Sequence, residues 1–190
     1  LCKDSEDDIT INVISSEVNS HDVTDRCCKA KSSTTSPSSL NDKIQFACDY
    51  FGSQGYSEVQ TSGIIGNLIH ESRFDTTILG DSGSAYGIAQ WRFERRTNLE
   101  NFAKAKSPPK DVSDFQTQLE FVNHELKGSG GNGGGSKRNA YGALIKTISI
   151  NSATRVFMDL YEIPGIESLQ SRINNANKVN NLCFNSGLVA

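Results

Sequence analysis

The stretch Ile64-Ile65-Gly66-Asn67-Leu68-Ile69-His70-Glu71-Ser72-Arg73-Phe74 leads within a few residues into Gly80-Asp81-Ser82-Gly83-Ser84-Ala85-Tyr86-Gly87-Ile88-Ala89-Gln90-Trp91. The change of pattern between the two halves decides the fold. In the first half Ile64, Ile65, Leu68 and Ile69 make the apolar stripe of a helix. Ser57 and Gln60 have capping-box spacing, so the helix is expected to begin there. Gly63 and Gly66 cost helix propensity, which predicts a closely packed neighbour. Glu71 follows Leu68 by three residues and Ile64 by seven, on the apolar face at the C-terminal end of the helix. From Thr76 to Trp91 helical periodicity disappears, and Gly80, Asp81, Gly83 and Gly87 mark the turns of a short β-hairpin or mini-sheet.

Helical periods continue on both sides of this block. Upstream, Ile44, Ala47, Cys48 and Phe51 recur at i, i+3, i+4 and i+7 until Gly52 and Gly55 stop the run. Downstream, helices are expected at about 93–105 through Leu99 and Phe102, and at about 112–127 through Phe115, Leu119, Val122 and Leu126. Three more are expected near 138–149, 152–162 and 166–182, the middle one capped by Ser152 and closed by Pro164. The fold class is mainly α: a helical α+β domain with one small β insertion.

With 190 residues the chain suits one domain and a tail. It begins at Leu1 rather than Met, as expected of a processed chain or a piece of a longer protein. Residues 1–28 are acidic and polar, with one strand-like alternation over 9–14; Lys29 to Ser39 is nearly all Ser, Thr, Lys and Pro, a linker composition. The division is therefore 1–38, a polar segment with its linker, and 39–190, the folded domain. The Gly-rich run 128–136 reads as a flexible surface loop. It contains Gly128-x-Gly130-x-x-Gly133 but follows a helix, where a dinucleotide fingerprint must follow a strand.

A formal charge of -3 argues against a nucleic-acid footprint and against simple adhesion to an anionic wall. No apolar run approaches the roughly 20 residues of a membrane span. His70-Glu71 and His124-Glu125 each lack the second His of a zinc-protease helix, and there is no G-x-S-x-G elbow. No metal site and no cofactor are indicated. The 5 cysteines, Cys2, Cys27, Cys28, Cys48 and Cys183, fit no zinc or CxxC spacing, and their odd number leaves a thiol over. Cys48 reads either as a small core residue or as the partner of Cys183 in an oxidising compartment.

Glu71 is the residue on which chemistry can rest. Desolvation on an apolar helix face raises a carboxyl's affinity for its proton, and the helix C-terminus pushes the same way. On position alone, a salt bridge with nearby Arg73 is the simpler account. The following residues decide otherwise. Glu71-Ser72-Arg73-Phe74, then Ala85-Tyr86-Gly87-Ile88-Ala89-Gln90-Trp91, resembles the lysozyme superfamily, and most narrowly the phage tail lysozyme family with its G-N-L-x-x-E-S and G-x-A-Y-G-I-A-Q-W patterns. Gln118-Leu119-Glu120-Phe121, His124-Glu125-Leu126, Phe157, Tyr161-Glu162-x-Pro164 and Arg172 are further landmarks, so the resemblance spans about residues 40–182.

That resemblance implies a small sheet flanking an active-site cleft and cleavage of the β-1,4 link between N-acetylmuramic acid and N-acetylglucosamine in peptidoglycan. Glu71 would be the proton donor. Gly87 would let the backbone approach the sugar, Ser84, Tyr86 and Gln90 would offer polar contacts, and Trp91 and Tyr161 would be stacking or core residues. Animal-type lysozymes carry an Asp directly before the Tyr-Gly pair, and Ala85 stands there instead. Asp81 is then the expected water-activating base, with its role as a turn former an equal reading and Asp75 a third choice. A lytic transglycosylase, which needs one Glu, and a non-catalytic wall-binding or assembly module are the alternatives. The implied partners are peptidoglycan glycan strands and a larger protein or particle to which the chain is tethered, in an extracytoplasmic or virion setting.

Overall fold

The segment that carries Glu71 is the central helix of a mainly helical domain. The computed structural model describes residues 37–128, 139–164 and 168–185. The expected polar segment and linker over 1–38, with Cys2, Cys27 and Cys28, therefore lie almost wholly outside the described residues, as does the Gly-rich run beyond Gly128. Helix α1 (Leu40–Ser53) is capped by Ser39 in a capping box with Asp42. Helix α2 (Glu58–Ser72) is capped by Ser57, whose side chain accepts from the Gln60 N–H while the Gln60 side chain accepts from the Ser57 N–H. The expected box is thus formed.

Helix α2 is not a one-sided surface helix. Ile64, Ile65 and Leu68 are fully buried, and so are Thr61, Ser62 and Asn67 on its other faces. It packs against α1 and against two later helices, α6 (Ile150–Phe157) and α7 (Leu169–Phe184). The glycines explain how so polar a helix is enclosed. A Cβ on Gly63 would lie 2.7 Å from the Cβ of Ala153, and one on Gly66 would lie 2.6 Å from the backbone nitrogen of Ala176. Both helices therefore approach α2 at backbone distance.

The β insertion is a three-stranded antiparallel sheet in the order β1 (Leu79–Gly80), β2 (Ala85–Tyr86), β3 (Trp91–Arg92). Leu79 pairs with Tyr86, and Tyr86 with Trp91. A single 3₁₀ turn, Asp81–Gly83, joins the first two strands. The sheet runs directly into α3 (Phe93–Lys104), and α4 (Phe115–Leu126) follows with Asp114 as its cap. The Gln118 side chain of α4 ties the sheet down, accepting from the Ile88 N–H (3.0 Å) and donating to Thr76 O (2.9 Å).

Several expected boundaries differ. Helix α5 covers only Ala140–Leu144, because the Gln60 amide takes the carbonyls of Ile145 and Thr147 that a longer helix would use. Helix α6 is capped by Ser149, with Ser152 at the third helical position. Its last turn, Met158–Glu162, widens to a π-helix and ends at Ile163, which is left-handed (φ 52°). Cys48 on α1 and Cys183 on α7 form a disulfide across 135 residues of chain, so the bridge is formed and its α1 half is also a core residue.

Two stability measurements follow. Gly66→Ala should lower unfolding free energy by about 2 kcal/mol through overpacking, although the same change gains ~1 kcal/mol in a free helix; urea midpoints at constant slope read the difference. Cys183→Ala should cost several kcal/mol, with about 5 kcal/mol as the chain-entropy limit for so long a loop.

Candidate active site

Glu71 is the penultimate residue of α2, and the helix end beyond it is fixed on both sides. The Ser72 hydroxyl donates to Ile88 O (3.0 Å) and accepts from the Phe74 N–H (3.1 Å), so the helix terminus and the sheet are bonded through one side chain. Arg73 and Phe74 are both left-handed, which turns the chain sharply off the helix, and fully buried Phe74 anchors the turn.

The Glu71 side chain opens on a cleft of about 530 Å³. The end of α2 contributes His70 and Glu71, the loop before β3 contributes Ala89 and Gln90, and the start of α3 contributes Arg92 to Arg95. The far wall is Glu162 at the end of the π-turn, then Ile163 and Pro164, with Arg172 from α7. Phe93, 81% exposed and left-handed, presents an open aromatic ring to this space.

Buried charge organises the cleft. Arg172, 2% exposed, donates through Nη2 to Glu71 Oε1 at 2.5 Å and through Nη1 to Asn67 Oδ1 at 2.9 Å. Asn67 lies one turn before Glu71 and donates in turn to Gly63 O and Thr154 O, which fixes its amide and hence the guanidinium. The salt-bridge partner of Glu71 is thus Arg172, over a hundred residues away in sequence, while Arg73 points to solvent.

A second network lies beside the first. Glu125 is fully buried and accepts from Arg95 through both carboxyl oxygens (2.8 Å each), from Trp91 Nε1 (2.8 Å) and from the Tyr161 hydroxyl (2.6 Å). So many hydrogen bonds give Glu125 a structural role. Glu162 is different: its Oε1 is buried with no hydrogen-bond partner among the described residues, and burial, then the charge of Glu71, hold its carboxyl well above the usual carboxylate range. Burial and the Arg172 charge push His70 down, toward the neutral imidazole.

The residues singled out in sequence fall into two groups. Gln90 lines the cleft with Glu71, its amide held by Gly87 O at 3.0 Å. Ser84 is exposed and bonded within its own turn, and Tyr86 is buried beneath the Arg96 guanidinium. Trp91 and Tyr161 have no exposed surface, so the stacking reading gives way to core packing, with their polar ends spent on Glu125. A Cβ on Gly87 would lie 2.8 Å from the Gln118 side-chain oxygen, so the glycine makes room for that amide. Asp81 is half exposed, left-handed and ion-paired with Arg92, and it does not line the cleft although Arg92 does. Asp75 accepts from Thr77 in a turn.

Phe93, Glu162 and Arg172 were not legible as site residues. Phe93 looks like a helix-face residue, and the other two were only landmarks far down the chain. Among the described residues, no group of three or more His, Cys, Asp or Glu is placed to hold a metal ion.

A search of the curated proteins finds no match. The phage tail lysozyme family model, by contrast, matches residues 42–182, which takes in α1 to α7 (all but the first two residues of α1 and the last two of α7), the small sheet and every residue lining the cleft. Glu71 at the helix end, the sheet beside it and this match together establish that the chain belongs to the phage tail lysozyme family, whose activity is lysozyme-like degradation of peptidoglycan.

Proposed function

We propose that the chain is a muramidase that cleaves the β-1,4 link between N-acetylmuramic acid and N-acetylglucosamine, with Glu71 donating a proton to the leaving glycosidic oxygen. The observation that carries this reading is the position of Glu71 at a helix end, inside a cleft walled by the sheet loop on one side and the π-turn on the other. Proton donation leaves a carboxylate on Glu71, and Arg172 at 2.5 Å stabilises that charge as it develops. Because Arg172 is held by Asn67, this stabilisation needs little reorganisation during the reaction. The sugar ring stacks on the open face of Phe93, and Gln90 meets hydroxyl or N-acetyl groups.

Hydrolysis also requires an activated water on the opposite face of the ring. Asp81, steered by Arg92 beside the cleft, is the carboxylate assigned to that task. A second reading, lytic transglycosylation, draws on the same facts: Asp81 stands off the cleft lining, and the position before Tyr86 is a buried Ala85. In that case the substrate's own hydroxyl attacks and the product is a 1,6-anhydro sugar.

The family and the Cys48–Cys183 disulfide are consistent with an extracytoplasmic or virion location. Among the described residues no helix is long and apolar enough to cross a membrane. Tethering to a larger particle, through the segment before residue 39, completes the proposal.

Glu71→Gln keeps an acceptor for Arg172 and removes the proton, so kcat/KM on peptidoglycan should fall by about 10³; retention of activity would overturn the assignment. Mass spectrometry of digested walls should find reducing ends lost in Asp81→Asn, whereas anhydro ends would select the transglycosylase. Phe93→Ala should raise KM about tenfold, ~1.4 kcal/mol of binding, with kcat less changed.

A further inference from the structure

We propose that a second cavity, the groove between α1, α2 and α7, receives the peptide stem of peptidoglycan, so that the chain reads the peptide as well as the glycan. The proposal rests on the reading of the neighbouring cleft as the glycan site and adds the part of the substrate that the groove would take.

The groove has a volume of about 590 Å³, slightly more than the cleft and within the range of ligand sites. Two elements make it continuous with the cleft. His70 on α2 lines both, and its Nδ1 lies 3.2 Å from the Ser171 hydroxyl of α7, which fixes the ring between them. Helix α7 runs from Arg172 in the cleft to Asn175, Lys178 and Val179 in the groove, at spacings that keep to one face. A substituent on a sugar held at Glu71 therefore enters the groove by passing His70.

The two cavities differ in chemistry. The cleft lining includes Glu71, Glu94 and Glu162. Among the described residues lining the groove there is no carboxylate: Arg73 and Lys178 are exposed cations at its edge, over a floor of Ile44, Ile69 and Val179. Neither cation is in an ion pair with a described residue. Sugar hydroxyls find little to bond on such a floor. A short peptide of small aliphatic residues with free carboxylates suits it, because the methyl groups cover the apolar floor and the carboxylates meet the two cations. Peptidoglycan carries such a peptide on the lactyl ether of its N-acetylmuramic acid, the sugar whose bond Glu71 would cleave. Asn175, between Arg172 and Lys178 along α7, offers its amide to the peptide backbone.

Length and rigidity agree with that occupant. Helix α7 rises ~9 Å from Arg172 to Lys178 and ~15 Å to Leu182, while an extended stem of about four residues spans ~14 Å. The groove is also fixed in advance. The Cys48–Cys183 disulfide ties α7 to α1 at one end, and the close crossing at Gly66 sets α7 against α2. A preformed site loses less free energy in ordering itself around a flexible peptide.

The test compares soluble glycan strands bearing uncross-linked stems with the same strands stripped of peptide by an amidase. The wild type should favour the peptide-bearing strands about tenfold in kcat/KM, through KM rather than kcat. Lys178→Glu reverses a charge on an exposed helix position, and Arg73→Asn removes one at a left-handed position that asparagine adopts readily. In the double variant the preference should vanish, because KM rises for the peptide-bearing strands alone. Should that variant fail to fold, Lys178→Gln alone decides, with the preference falling about threefold. No preference in the wild type, or a preference unchanged in the variants, would overturn the inference. An equal loss on both substrates would overturn it too, and would assign the groove to another part of this chain or to a partner protein. Activity in Glu71→Gln would instead contradict the reading of the cleft, whatever the ratio between substrates.

Discussion

The close crossing of α7 over α2 at Gly66 is the constraint on which the site depends. With Ala176 packed against the glycine, α7 lies near enough for Arg172 to reach Glu71 and Asn67 with one guanidinium. A side chain at position 66 would force the helices apart, and the buried ion pair is among the contacts least able to follow. A guanidinium left without its carboxylate would be costly at 2% exposure. Packing of the two backbones and electrostatics at the cleft are therefore one design feature seen at two scales. The Cys48–Cys183 bridge holds the other end of α7 to α1 and restrains the same helix from its far side.

The charges of the cleft divide into a structural set and a working set. Glu125, with Arg95, Trp91 and Tyr161, has its bonding capacity filled from three directions and lies fully buried. It locks the start of α3 and the π-turn to α4, which sets the width of the cleft. Glu71 and Glu162 retain freedom: one is partly exposed with a single fixed oxygen, and the other has a buried oxygen that no described residue meets. Beside them the exposed ring of Phe93 supplies apolar surface where the rest of the lining is mostly polar or charged.

Much of this was legible in the sequence, and the parts that were not share a cause. The capping box of Ser57 and Gln60, the close neighbour required by Gly63 and Gly66, and the small sheet after Thr76 are local signals, and each is present in the structure. Helix ends set by distant groups were misjudged: α5 stops early because Gln60, some 85 residues earlier, takes its carbonyls. The site divides in the same way. Glu71 and Gln90 could be found from a contiguous block, whereas Arg172 reaches Glu71 across a separation of 101 residues and leaves no local trace. Trp91 stayed open between stacking and core in the sequence because an aromatic beside a cleft reads the same either way, and the buried Glu125 decides for the core.

The most direct test of the account is a crystal structure of Glu71→Gln bound to a peptidoglycan-derived oligosaccharide. The account places a glycosidic oxygen within hydrogen-bond reach of residue 71 and a sugar ring over Phe93. A glycan seated outside this cleft, away from residue 71, would contradict it.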